Sequence, residues 1–348
     1  MDVPARLGIA PVARYERRCL SCSLEVYRQD EGGANGGLVR DERRCGVKQA
    51  SLSPRAWAEL SLLALIWGGS FLAIRTALDE IGPLTSVLHR TFWAMLVLWA
   101  VVLLRRQPLP RGLRIWGAFW VMGLLNNVLP FSLMAWGQLH IATGLTSIFN
   151  AATAIFGVLV AAAVFADERL SLRRGLGVAL GFAGVATAIG LDTLTQIDIR
   201  SLAQLAVLAG TLSYACAGAW ARVHLRGVPP LVAAAGMLTA STLMMGPLAV
   251  LVEGPPSLDL SLRSWAAIGY YAVLATALAY LLYYRVLAMA GSGNLLLVTL
   301  LIPPVAITLG ALLRDEALAP QAYTGFALLA LGLLVLDGRI FARGAKRV

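Results

Sequence analysis

The chain has 348 residues, 29 Lys/Arg against 19 Asp/Glu and a formal net charge of +10, yet 58% of it is hydrophobic and only 14% charged. Its mean hydropathy of +0.73 sets it apart from a soluble domain, in which about a quarter of residues carry charge. The excess positive charge does not indicate nucleic acid, because the arginines cluster at the ends of apolar stretches, where membrane topology accounts for them.

Residues 1–50 differ from the rest, with nine Lys/Arg against seven Asp/Glu, several glycines and no apolar run long enough for a signal-peptide core. The composition predicts a disordered leader. Cys19-Leu20-Ser21-Cys22 has zinc-like spacing, but only Cys45 follows and the leader has no histidine, so no metal site is expected. The fourth cysteine, Cys216, lies in an apolar stretch, so no disulfide framework is implied. No methionine occurs between Met1 and Met95, so a second reading starts translation near Val47 at a non-AUG codon. Peptides from residues 2–40 of the natural protein would rule that out.

From Trp57 onward, apolar stretches of about 20 residues follow one another, each long enough to cross a ~30 Å hydrocarbon layer as a helix. Apolar windows read against Gly and Pro predict ten helices near 57–78, 84–104, 115–136, 142–165, 173–190, 201–221, 230–252, 265–288, 293–313 and 321–341. Alternate connections collect arginine: Arg105, Arg106, Arg111 and Arg114; Arg169, Arg173 and Arg174; Arg222 and Arg226; then Arg339, Arg343, Lys346 and Arg347. The others hold Asp79, Glu80, Asp192, Asp198, Glu253 and Asp259, with only Arg200, Arg263 and Arg314. That asymmetry places both termini in the cytoplasm and calls for an even number of spans.

The chain repeats itself. A shift of 148 residues sets Phe165-Ala166-Asp167-Glu168-Arg169-Leu170 on Leu313-Arg314-Asp315-Glu316-Ala317-Leu318, Gly177 on Gly325 and Gly184 on Gly332. A shift of 147 sets Trp67 on Tyr214 and Arg75 on Arg222. The expected organisation is a first repeat over 55–190, a second over 201–341 and a basic cytoplasmic tail at 342–348. Five helices per repeat is an odd number, so the second enters the membrane from the opposite side. Inverted repeats are a recurring design of secondary transporters.

The stretches IWGGSFLAIR, His89-Arg90-Thr91-Phe92-Trp93, NAATAIFGVLVAAAVFADERLSLRRGLGVALGFAGV and PPVAITLGALLRDEALAPQAYTGFALLALG resemble the drug/metabolite transporter superfamily, specifically its EamA-type permeases. The resemblance covers about residues 55–341 and both repeats. It implies an all-α membrane protein of ten helices in two inverted five-helix repeats, a central cavity, and export or exchange of small metabolites. The sequence departs from the family pattern at Ala154, where the first repeat often carries proline, whereas the second keeps Pro303 and Pro304. A broken ninth helix is therefore expected, with the fourth left open.

Within so apolar a chain, polar groups inside the spans carry the information. Arg90 lies in the second span, where a charge costs at least ~2.5 kcal/mol on insertion scales. Its fork fits a carboxylate or other anion of substrate; the alternatives are snorkelling to headgroups or pairing with Glu80. His89 points some 100° away around the helix, so the two do not share a cavity centre. Asn126 and Asn127 in the third span must face other helices or water, as cavity lining or as packing glue. Asn150 and Thr153 share a face of the fourth span. Thr276, Tyr280 and Tyr284 form a stripe in the eighth, and Trp67 and Tyr214 are matched by the repeat. Glu168 and Glu316 each follow a span, and their repetition favours structural pairing. Gly177, Gly181 and Gly184 form a stripe of small residues for close packing, between repeats or in a homodimer.

No HExxH helix, GxSxG elbow, aspartate-rich prenyl-phosphate motif or Walker loop occurs, so an intramembrane enzyme is disfavoured and no cofactor is expected. A structural or signalling membrane protein without flux is the other alternative. The sequence favours a secondary transporter of a bacterial inner membrane. It would move a small metabolite, an amino acid or related compound or a drug-like amphipath, by alternating access as the repeats rock around Arg90, Trp67, Asn126, Asn127, Asn150, Thr153, Tyr214, Tyr280 and Tyr284.

Overall fold

The computed structural model describes residues 53–166, 168, 171–190, 199–295 and 297–337. The leader with its three cysteines, the acidic Asp167, Asp192 and Asp198, Arg169, and the tail residues Arg339, Arg343, Lys346 and Arg347 lie outside them.

All regular structure among the described residues is helical. The first seven helices are α1 (Pro54–Ala77), α2 (Pro83–Leu104), α3 (Leu113–Gly137), α4 (Thr143–Val164), α5 (Leu172–Ile189), α6 (Ile199–His224) and α7 (Pro230–Glu253). Then α8 runs through Leu262–Gly269, Tyr270–Leu278 and Ala279–Leu295, followed by α9 (Val298–Arg314) and α10 (Pro320–Asp337). Eight are long and apolar enough to cross a membrane, and the last two are shorter apolar helices. Their starts follow from local chemistry. Proline opens α1, α2, α7 and α10, where its missing N–H would have had no helical partner. The Ser53 hydroxyl accepts from Ala56 N at 3.2 Å, and Ser171 and Ser261 cap α5 and α8 in the same way.

Two departures from the sequence expectation matter. α9 runs unbroken through Pro303 and Pro304, while the break falls in α4 at Ala151–Ala152, where there is no proline. There Ala152 N bonds Phe149 O at 2.9 Å and the Thr153 hydroxyl donates to Asn150 O at 2.7 Å. These short-range bonds tighten the chain by one turn without a helix breaker.

The second departure is a widened, π-helical segment in each half: Leu124–Val128 in α3 and Tyr270–Leu278 in α8. They sit at matching places in the two repeats. In α3 the cause is Pro130, which offers no N–H and whose ring would press on the carbonyl four residues earlier; the Leu129 N–H bonds back to Leu124 O instead. In both helices the loosened carbonyls are taken by the leading helix of the other half. The Ser213 hydroxyl of α6 donates to Leu125 O at 2.7 Å, and the Trp67 indole of α1 donates to Ala275 O at 3.0 Å.

The largest helix interfaces all join one half of the chain to the other: α5 with α10, α2 with α7, α1 with α9, and α3 and α4 with α6. Gly177 and Gly184 pack against the backbone of Gly332 and Gly325, so the small-residue stripe serves α5–α10 packing within the chain. At one end of the bundle lie Arg105, Arg106, Arg111, Arg114, Arg173 and Arg174, with Arg222 and Arg226; at the other lie Asp79, Glu80, Glu253, Asp259 and Glu316. We call these the arginine-rich and acidic faces.

Candidate functional site

Arg90 organises the interior. Its Nε donates to the Thr276 hydroxyl at 2.9 Å, and its guanidinium carbon sits 3.8 Å from the centre of the Phe131 ring. Tyr214, Tyr271 and Tyr280 lie close enough to interact with it electrostatically. Among the described residues no carboxylate pairs with it; Glu80, the partner weighed from sequence, instead accepts from Ser261 N at 2.8 Å and from the Ser261 hydroxyl. Ile74, Ser86, Val87, Phe131 and Ala135 complete a small pocket beside the guanidinium. A cation here rests on an aromatic face and a hydroxyl, with its terminal N–H groups left for an incoming acceptor.

The π segment of α8 makes this possible. Its wide turn lets the Thr276 hydroxyl donate to Tyr271 O, five residues back, at 2.8 Å while accepting from Arg90. Below it Tyr280 accepts from the Asn126 amide at 3.2 Å and stacks on Tyr284 with ring centres 6.3 Å apart. Tyr283 links Tyr284, at 5.4 Å, to Trp67, at 5.9 Å. Tyr214 reaches Phe131 edge-on at 6.3 Å.

The structure therefore brings Arg90, Asn126, Tyr214, Tyr280 and Tyr284 into one connected region, with the Trp67 ring at its edge. Asn127 is fully buried, and its amide donates to Ser241 of α7 at 2.9 Å; it binds helices together. Thr153 spends its hydroxyl on the α4 break, apart from the Arg90 group, and Asn150 supplies the carbonyl it takes. His89 faces away from Arg90 as its helical position requires, accepting from the Trp93 indole at 3.3 Å and packing against Trp265. Glu168 pairs with Arg174 and Arg222, whereas Glu316 caps α4 through Thr143 N and its hydroxyl at 2.8 and 2.6 Å. Sequence reading did not single out Phe131, Ser86 or Ser241, because nothing in an apolar helix marks which residue lies under a cation.

A family model described as the EamA-like transporter family matches residues 57–190 and again 201–336. The chain belongs to that family. Among curated relatives of this EamA protein, a "Probable terminal-alkyne amino-acid exporter" of Streptantibioticus cattleyicolor is 27% identical over 84% of this chain and 96% of its own length. A "Probable amino-acid metabolite efflux pump" of Escherichia coli is 24% identical over 79% and 92%. The uncharacterised transporter YoaV of Bacillus subtilis is 21% identical over 78% and 93%. One solved crystal structure aligns with a TM-score of 0.60 at 18% identity, covering 84% of this chain and 100% of the other, which shows the fold. The EamA chain is thus a multi-pass membrane protein of a transporter family.

Proposed function

We propose that this protein is a ten-span secondary transporter of a small carboxylate-bearing metabolite, such as an amino acid or related compound, which it exports or exchanges by alternating access. The observation that carries the reading is Arg90, a cation inside the bundle with an aromatic and a hydroxyl neighbour and no carboxylate partner among the described residues. Such a charge is costly in the membrane interior unless an anion joins it, and a carboxylate fits its fork with two hydrogen bonds. Asn126, Tyr280 and Tyr284 would offer the rest of the substrate amide, hydroxyl and ring contacts. The names of the two amino-acid-related relatives point the same way.

The arginine-rich face is assigned to the cytoplasm of a bacterial inner membrane on the positive-inside rule. Because the main helix interfaces cross between the halves, the moving bodies in this scheme mix helices of both halves, in place of two lobes rocking as intact repeats. Counterflow in proteoliposomes tests the function. Small carboxylates should exchange while their amide analogues do not, and Arg90→Ala should lower carboxylate flux roughly a hundredfold, the loss expected for a charge-assisted bidentate pair. Undiminished flux in a folded Arg90→Ala variant would remove Arg90 from the site.

A further inference from the structure

The two π segments divide α3 and α8 at matching points, and each leaves a short helical piece running from the segment to one face of the bundle. In α8 that piece is Leu262–Gly269 at the acidic face; in α3 it is Leu113–Gly123 at the arginine-rich face. The α8 piece packs against the apolar wall of the Arg90 pocket. Ala267 and Ile268 are buried in the same apolar cluster as Ile74, Val87, Phe131 and Ala135, four of the pocket's lining residues. Its free end is tied down by Glu80 of the α1–α2 connection, whose carboxylate accepts from both the backbone N–H and the hydroxyl of Ser261, the residue that caps α8.

Among the described residues the matching α3 piece has no carboxylate at its cap; its hold is further along, where the Trp220 indole of α6 donates to Ala118 O at 3.1 Å. Its cap, Gly112, offers no side chain, and a shift of 147 residues sets Gly227 where Glu80 stands. One piece is held at its cap by a carboxylate; among the described residues its counterpart is not.

We infer that Leu262–Gly269 is a lid over the acidic side of the Arg90 pocket, hinged at the π segment Tyr270–Leu278 and latched by Glu80. The inference rests on the transport reading for its purpose. π segments interrupt the regular α-helical ladder, so a small change of hydrogen-bond register there swings the piece beyond it. Ser86 also holds the hinge, through a 3.3 Å contact with the Tyr271 hydroxyl. Opening the lid therefore requires the Glu80–Ser261 bonds to break first. The α3 piece occupies the corresponding place at the opposite face, with no carboxylate on its cap among the described residues.

The test uses full-length protein with Cys19, Cys22, Cys45 and Cys216 changed to serine and one reporter, Ala135→Cys, in the pocket. A membrane-impermeant maleimide is added to either face of proteoliposomes of known orientation. Adding Glu80→Gln should speed labelling from the acidic face roughly threefold to tenfold, the ratio that one helix-cap carboxylate controls, with labelling from the other face unchanged. Ser261→Ala, which keeps the backbone arm of the latch, should give a smaller rise and serves alone if Glu80→Gln does not survive purification. An unchanged acidic-face rate, or an equal rise from both faces, overturns the lid. Absence of carboxylate counterflow in the parent protein would overturn the transport reading instead, and leaves the labelling result readable.

Discussion

The α5–α10 interface offers a contrast within a single helix. A Cβ added at Gly184 would lie 2.5 Å from Leu329 N, 2.7 Å from Gly325 O and 2.9 Å from Leu329 Cα, all backbone atoms that cannot rotate aside. Reaching the 3.4 Å at which ordinary contact begins requires the helices to part by about 0.9 Å. A gap of 0.5–1 Å forfeits about a quarter to a half of each dispersion contact along the stripe, and overpacking of this kind costs about 1–3 kcal/mol. At Gly175, nine residues earlier in α5, nothing lies within 4 Å, so Ala there gains only its helix-propensity advantage of roughly 0.5–1 kcal/mol. Gly184→Ala receives that same gain and should still be destabilised by about 1–2 kcal/mol net. Tryptophan fluorescence during a thermal ramp in detergent should show Gly184→Ala melting roughly 2–6 °C lower and Gly175→Ala no lower than the parent. If Gly184→Ala melts at or above Gly175→Ala, the close helix approach, and the cross-half packing that depends on it, is refuted.

The two adjacent asparagines should separate stability from transport. Asn127→Ala, which removes a fully buried amide and the hydrogen bond it donates to Ser241, should cost about 1–3 kcal/mol, visible in the same thermal ramp. Asn126→Ala should leave melting nearly unchanged and raise the substrate KM in counterflow; the reverse pattern would exchange their roles. Thr276→Val keeps the shape of the side chain but removes the acceptor for Arg90 Nε, a bond to a charged group worth about 1.5–3 kcal/mol. Carboxylate KM should rise roughly tenfold or more, and Thr276→Ser should restore it; equal losses in both variants would assign Thr276 to packing. The latch should also respond to acid. Hydrogen bonds from Ser261, joined by Ser264, hold the Glu80 carboxyl below its ordinary value of 4.5 against the opposing charge of Asp79, and Asp79 is itself held low by Arg314. A lowered carboxylate pKa means the bonds are fully present above the ordinary value and are lost as pH falls through the lowered one. Because the thiolate is the reacting form, labelling itself slows as pH falls. The acidic-face rate divided by that of the Glu80→Gln variant at the same pH should therefore stay constant above the ordinary carboxylate value and rise toward one as pH falls below it.

Much of the architecture was legible because membrane helices announce themselves: a bilayer demands about 20 apolar residues, and charges must leave the spans. The observed helices follow the expected windows closely from α1 to α7, and the expectation falters where α8 runs on to Leu295, since glycine costs a helix only about 1 kcal/mol. The prolines misled in α9, which runs unbroken through Pro303 and Pro304, and the irregularity that Pro130 brings to α3 was not expected from the sequence.

By itself the sequence determined the membrane class, the two repeats, their family and the oddity of Arg90, all properties of composition and spacing along one chain. Only the tertiary structure decided what Arg90 rests on, that Asn126 and Asn127 face different neighbours, that the glycine stripe joins α5 to α10, and that Glu80 holds Ser261. Those facts depend on distances between residues far apart in the chain, from 41 positions for Arg90 and Phe131 to 186 for Arg90 and Thr276. In a uniformly apolar chain, hydrophobic pattern places every helix in the membrane but does not specify which helices touch; that is settled by shape, by close backbone approach and by the few polar groups that must find partners.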